Sequence, residues 1–340
     1  MKTIVQYDDI REFELKPSTS LNTYLQLTKG DVKSYFLDGA ALSDCKCPAC
    51  LSGERNKCFI KFGLQYWECA NCKTLYISPR PDESAINEYY KSSKARRFWN
   101  EQLAAATEAK RREKLFKPRV QWIIETIEEY LPSAQRFVDI NTIHRPFLAE
   151  LIESNYFKEI TILNPKISLE PADYQQKGVR LVEKPIDALP PDNLFDGVTL
   201  FEVIDRLSNV GSFFSALEGI IVPGGLCFLT TISISGFDLQ VLWEKSNSIF
   251  PTDRINVFSL EGLMLLFERH GFDCLELSTP GLLDIEVVAN AYRENPSLDL
   301  PRFVKYMLNN RGSSTLQSFQ EFLQLNRLSS FTRMVLRKKK

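Results

Sequence analysis

Arg136-Phe137-Val138-Asp139-Ile140, then the amphipathic stretch Phe147 to Ile152, then Glu159-Ile160-Thr161-Ile162-Leu163 decide how the larger part of this chain folds. The apolar runs are short and rich in β-branched and aromatic residues, which suits strands, and the stretch between them has the length and spacing of a helix. The alternation continues through Val179 to Val182, Phe195 to Phe201, a helix near Val210 to Ile221, and Leu226-Cys227-Phe228-Leu229-Thr230. It predicts βαβ units and a mostly parallel α/β sheet with helices on both faces. Ligands in such sheets bind at the carboxyl ends of the strands. A further helix from Ser259 to His270 is stopped by Gly271, and Phe272 to Leu277 and Phe331 to Leu336 read as closing strands.

Upstream stand two C-x2-C pairs, Cys47-Pro48-Ala49-Cys50 and Cys69-Ala70-Asn71-Cys72, with the 18 residues Leu51 to Glu68 between them. That is the spacing of a four-cysteine zinc ribbon, and Phe59 to Glu68 has the composition of ribbon strands. Four sulfur ligands leave no position for water or substrate, so Cys47, Cys50, Cys69 and Cys72 point to a structural zinc ion. Cys45, Cys58, Cys227 and Cys274 read as free thiols. Before the ribbon, Leu21, Tyr24, Leu25, Leu27, Val32, Tyr35 and Phe36 recur at helical spacing. After it, Glu83 to Tyr130 reads as two helices, the second opening at Pro118, with Phe98, Trp99 and Trp122 packed on the sheet domain and closing one side of its cleft. The organisation expected is a leader with helix over 1–40, a zinc ribbon over 41–78, a helical connector over 79–135, and the α/β domain over 136–340.

The whole chain bounds its partners. Forty-two basic against 43 acidic residues give a formal net charge of −1, so no global field draws the protein to nucleic acid or anionic lipid. The start, MKTIVQYDDIREF, lacks the apolar core of a signal peptide, and no run approaches the roughly 20 apolar residues of a membrane span. A cytoplasmic protein is expected, and in a reducing compartment clustered cysteines read as metal ligands. The ribbon carries no dense basic patch, which argues against nucleic acid. A small-molecule substrate or a protein partner remains.

Three segments carry a resemblance: Phe195-Asp196-Gly197-Val198-Thr199-Leu200-Phe201-Glu202-Val203-Ile204, Val222-Pro223-Gly224-Gly225-Leu226, and Glu268-Arg269-His270-Gly271-Phe272. They resemble the fourth strand, the turn before the fifth strand and the helix before the sixth strand of class I S-adenosylmethionine-dependent methyltransferases. The closest likeness is to those with an N-terminal zinc-binding domain, as in sugar C-methyltransferases. The resemblance implies a Rossmann-like methyltransferase sheet behind the ribbon, S-adenosylmethionine as cofactor, and cofactor contacts at Asp139, Asn141, Asn164, Ile186, Phe201 and Glu202.

Here the sequence also departs from the family. Its first strand ends in a D-x-G-x-G-x-G loop, where glycine allows the backbone to approach the cofactor. This chain reads Asp139-Ile140-Asn141-Thr142-Ile143-His144-Arg145. The second strand should end in a carboxylate for the ribose hydroxyls, and Asn164 followed by Pro165 stands there. Pro185 and Ile186 replace the acidic position after the third strand. Arg206 and Arg254 occupy places where the family commonly carries histidine, and an arginine stays protonated and cannot act as a general base. His144, Arg206, Asp253 and Arg254 are the candidate catalytic positions, with His144 as base and the arginines as anion binders. Two functions follow: a methyltransferase acting on a sugar or other small metabolite, or a non-catalytic relative that keeps the fold for binding and has lost the cofactor.

Overall fold

The computed structural model describes residues 2, 4–5, 10–176, 178–190 and 194–340. Its main sheet has seven strands: Arg136–Ile140, Glu159–Leu163, Val179–Val182, Phe195–Phe201, Ile221–Ile232, Phe272–Ser278 and Phe331–Lys338. Counted along the chain, they lie in the order 3-2-1-4-5-7-6. Pairing is parallel from the third strand through the fifth, and the seventh runs antiparallel to both of its neighbours. This is the Rossmann-like methyltransferase architecture. The order reverses between the first and fourth strands, which places the crevice at their carboxyl ends.

Both faces of the sheet are covered, which is why its strands read as continuous apolar runs instead of alternating ones. Phe137 joins Val120, Ile123 and Ile127 of helix Lys117–Tyr130 and Phe147 and Leu151 of helix Arg145–Glu153. Val138 and Ile140 point the other way, to Phe214 and Leu217 of helix Val210–Ile220 and Leu263 and Phe267 of helix Leu260–Arg269. Gly197 is fixed by this packing, because a Cβ there would stand 2.6 Å from the ring of Phe137.

The ribbon hairpin, Arg55–Lys61 with Leu64–Cys69, continues into Leu75–Ile77. Its last strand comes from far along the chain: Asn256–Val257 pairs with Leu75 and Tyr76. The cysteine module is therefore built into the α/β part through shared sheet. From Glu83 to Tyr130 the chain forms three helical stretches where two were expected: Glu83–Ser92, Lys94–Phe98 extending to Ala104, and Glu108–Arg111 extending to Tyr130. The α-helix Lys117–Tyr130 carries Pro118 in its first turn, as expected, but the chain before it is already helical. A wide turn over Arg112–Phe116 feeds straight into Lys117–Tyr130, so the missing N–H of Pro118 is accommodated inside a continuous helix. Three further helices, Asp284–Glu294, Arg302–Asn310 and Ser313–Leu325, lie between the last two strands. Among the described residues no helix is long and apolar enough to cross a membrane.

Candidate functional site

The four cysteines converge. All their sulfur atoms lie within 4.8 Å of one another, with Cys47–Cys72 and Cys50–Cys69 each at 3.5 Å. Thiolates around zinc at about 2.3 Å stand about 3.8 Å apart in a tetrahedron, so this donor set fits that ion. The two loops repeat one backbone geometry. Leu51 and Lys73 follow the second cysteine of each pair at φ 63° and 62°, and their N–H groups donate back to the carbonyls of Cys47 and Cys69, each at 3.0 Å. Helix Leu260–Arg269 holds the pair of loops from outside: its cap Ser259 donates to the Cys72 carbonyl, and Arg269 Nη1 donates to the Ala49 carbonyl at 2.6 Å. Cys45 and Cys58 stay outside the group, each donating to a carbonyl at 3.6 Å.

At the crevice, three strands leave the sheet through left-handed residues: Asn141 at φ 53°, Asn164 at φ 49° and Glu202 at φ 57°. Asparagine adopts this conformation readily, whereas a glutamate there is uncommon and must be held by its surroundings. The loops after the first and second strands are tied to each other. Asn164 Nδ2 donates to Asn141 Oδ1 at 2.9 Å, Lys166 N to Thr142 O at 2.8 Å, and Arg145 Nη2 to Ser168 O at 2.9 Å. Arg145 Nη2 also pairs with Asp173 at 3.3 Å, and Ile143 packs in an apolar cluster with Phe36, Ile234 and Leu239.

Asp139 is buried and accepts the Thr199 hydroxyl at 2.6 Å, which links the first strand to the fourth; burial pushes its carboxyl up to about 7. Phe201 is buried between Trp122, at 6.3 Å, and Phe147, at 4.7 Å, on the helical side of the sheet. Ile186 is buried in the opposite core. Neither Phe201 nor Ile186 lines the cavity described below. Trp122 packs on the sheet as expected, Trp99 lines the cavity, and Phe98 turns to the leader helix beside Leu21 and Tyr24.

The four catalytic candidates form two linked clusters. Arg254 bridges Asp205 at 3.1 Å and Glu202 at 3.5 Å, and His144 Nε2 stands 3.5 Å from the other Glu202 oxygen. Burial alone would raise the Glu202 carboxyl, but His144, Arg254 and Arg119 outweigh it and hold it well below the carboxylate range. Burial pushes His144 down to about 4, so its imidazole is neutral at neutral pH and a weak base. Asp253 accepts the hydroxyls of Tyr90 at 2.8 Å and Tyr24 at 3.2 Å. Arg206 is buried with its guanidinium 5.5 Å from the Tyr90 ring centre. Both arginines are thus interior groups away from the cavity wall, Arg254 paired to carboxylates and Arg206 over an aromatic face.

Beside these clusters a cavity of about 1040 Å³ opens over the ends of the second and third strands. Its floor includes Ile143, His144, Asn164, Pro165, Leu181 and Pro185, and its roof is formed by residues from Asn87 to Arg111.

Residues 107–277, just over half of the 340, match the family described as methyltransferase domain. The chain belongs to this family. No curated protein matches it. Among solved structures, the plantazolicin methyltransferase BpumL in complex with SAH aligns over 75% of this chain and 94% of its own, at 10% identity and a TM-score of 0.46. A SAM-dependent methyltransferase from Archaeoglobus fulgidus aligns over 67% and 94%, at 18% identity and a TM-score of 0.43. CalS10, an amino pentose methyltransferase from Micromonospora echinaspora, aligns over 36% and 53%, at 23% identity and a TM-score of 0.29. Likeness of this degree transfers no chemistry to the present chain.

Membership in the methyltransferase domain family makes S-adenosylmethionine the group to hold against this site. The residues do not fit it well. Where a ribose-binding carboxylate belongs, the Asn164 amide is neutral and already donates to Asn141. Of the three positions where glycine would bare the backbone, Asn141 is bonded to Asn164, Ile143 is a buried side chain and Arg145 is strapped to Ser168. Trp99 stands at the cleft as expected, but the roof residues Arg96 and Arg111 were not expected there, since charged helical runs such as Lys94-Ala95-Arg96-Arg97 ordinarily form a solvated face.

Proposed function

We propose that this chain is a ligand-binding member of the methyltransferase family that has lost the ordinary seat for S-adenosylmethionine, and that a zinc ion on Cys47, Cys50, Cys69 and Cys72 stabilises its N-terminal ribbon. The observation carrying the first part is the 2.9 Å bond from Asn164 to Asn141, which joins two strand ends where a carboxylate should receive the cofactor's ribose. The ligand is a small molecule held in the cavity over the second and third strands. Zinc in this place is structural: it ties two loops together and offers no open coordination site.

A second reading has its own support. Asn141 keeps the left-handed path that glycine normally supplies, and the cavity borders Asn164 and the third-strand end. On that reading the protein is an active class I methyltransferase, acting on a sugar or another small metabolite. Calorimetric titration with S-adenosylmethionine and S-adenosylhomocysteine separates the two. The favoured reading expects weak or undetectable binding of both; micromolar affinity for either supports the active enzyme instead.

A further inference from the structure

We infer that the cavity is an oxyanion site anchored on Arg111, so that its ligand is a small molecule bearing a phosphate or a carboxylate pair. This names the ligand class and rests on the reading of the cavity as a ligand site. Six cationic side chains line it, Lys91, Arg96, Arg97, Arg111, Arg145 and Lys166, against the three carboxylates of Glu101, Glu108 and Glu183. The lining has three more cations than carboxylates, and two more once the pairing of Arg145 with Asp173 outside the wall is counted, in a protein whose net charge is −1.

Arg111 has the features of a built anchor. It is only 8% exposed, and its Nε and Nη2 are fixed by the Thr107 hydroxyl at 2.8 Å and the Leu15 carbonyl at 2.7 Å. Neither partner carries charge, and the carboxylate whose charge reaches Arg111 is that of Glu202, which is bonded elsewhere. Among the described residues the bonds of Arg111 are made through Nε and Nη2, which leaves Nη1 for a ligand. Burial pushes its guanidinium down to about 10, the sign of a desolvated cation lacking full compensation. The nearby carboxylate Glu202 is already paired with Arg254 and His144. Trp99, another cavity wall, has its ring centre 5.4 Å from the Arg111 guanidinium and restricts its rotation.

Arg96 is 2% exposed, with its guanidinium 5.0 Å from the Tyr90 ring centre and its neighbour Asp253 bonded to Tyr90 and Tyr24. It adds positive potential without a direct ion pair. Lys166 donates to the neutral Asn87 at 2.8 Å, and Lys91 and Arg97 stand exposed at the rim. A preorganised arginine in a wall where cations outnumber carboxylates is suited to a multiply charged oxyanion, because charge-assisted hydrogen bonds gain most where the donor is already desolvated.

The test is calorimetric titration of the full chain with inorganic phosphate, pyrophosphate and succinate at constant ionic strength. At least one should bind in the millimolar range or tighter, with affinity falling as salt rises. Preference for phosphate or pyrophosphate identifies a phosphate ligand, and preference for succinate a dicarboxylate. Arg111→Gln should weaken binding about tenfold or more, the worth of a lost charged hydrogen bond. If that variant unfolds, the rim pair Lys91→Gln with Arg97→Gln decides, with a severalfold loss expected and an unchanged melting curve. No binding of any of the three, or unaltered affinity in a folded variant, overturns the proposal. That outcome leaves the cofactor reading untouched, since weak S-adenosylmethionine binding is measured separately.

Discussion

Replacing Arg254 by glutamine tests whether the centre of the crevice is held by buried charge. Arg254 is 11% exposed and bridges Asp205, at 0%, to Glu202, at 26%. Removing one partner of a buried pair typically costs about 3–5 kcal/mol, because the other charge is left uncompensated. That is a large part of the roughly 5–15 kcal/mol that stabilises an ordinary domain. The sign of the pH dependence follows from Asp205. Burial already pushes its carboxyl up from 3.8 to about 6, even though Arg254 and the Thr231 hydroxyl oppose the shift. A carboxyl raised in the folded state favours folding below its unfolded value of 3.8 and loses that contribution as pH rises through the folded one. Without Arg254 the folded value climbs further, so more is lost at the alkaline end. The gap between Arg254→Gln and the parent should therefore be widest near pH 8 and shrink toward pH 5, where Asp205 is protonated in both. Urea unfolding followed by tryptophan fluorescence across that range measures it. Adding Asp205→Asn should restore much of the loss at pH 8. A deficit that is independent of pH, or smaller than about 1 kcal/mol at pH 8, refutes the reasoning.

Other consequences are independent of that cluster. Protein purified without chelator should carry about one zinc per chain by elemental analysis, and Cys47→Ser or Cys69→Ser should lose it and expose the ribbon to proteolysis. Gly262→Ala places a Cβ 2.2 Å from Thr74 Oγ1 and 3.2 Å from the Ala49 Cβ, so it should cost about 1–3 kcal/mol in a thermal or urea melt through overpacking against the cysteine loops. His144, pushed by burial from 6.5 to about 4, contributes stability above pH 6.5 that is lost as pH falls toward 4. His144→Gln should reduce the acid-induced loss over that window by up to about 3 kcal/mol, measured as the difference from the parent in urea titrations at pH 7 and 4.5.

The fold was legible because its signals are local. Period and length gave the strands, Gly271 stopped a helix at His270, and paired cysteines reported their own convergence. The same chain hid what depends on distant partners. Asn256–Val257 carries no mark of a strand, since two residues have no periodicity, and its role follows only from pairing with Leu75 and Tyr76. Arg302–Asn310 and Ser313–Leu325 leave Phe303, Tyr306, Phe322 and Leu325 exposed, so their apolar residues do not report a core face in the usual way. At the site, Asn141 and Asn164 were read as departures, but their bond to each other depends on two strand ends being adjacent. Phe201 looked like a crevice residue by position, yet the alternation of a strand turned it to Trp122 and Phe147. His270 stands where a helix favours a cation, but burial and Arg269 hold its pKa below the usual range, and Arg269 supplies the charge.

The structure also decides which reversion can test the cofactor reading. Restoring all three glycines and an acid would be the sequence-based choice. Ile143, however, is buried among Phe36, Ile234 and Leu239, and deleting a buried isoleucine side chain costs about 2–5 kcal/mol. Ile143→Gly would confuse lost folding with lost binding. Arg145→Gly would cut a strap to Ser168 that holds the neighbouring loop. Asn141 and Asn164 are different: each already has the left-handed backbone, and each side chain's partner is the other. Asn141→Gly with Asn164→Asp therefore removes one exchanged hydrogen bond, keeps the backbone path and supplies the missing carboxylate. A charged hydrogen bond is worth roughly 1.5–3 kcal/mol, so affinity for S-adenosylmethionine should rise by about one to two powers of ten. If the double variant melts like the parent and binds no better, the loss of the cofactor seat does not reside in these two residues, and the strapped loop and buried His144 must account for it instead.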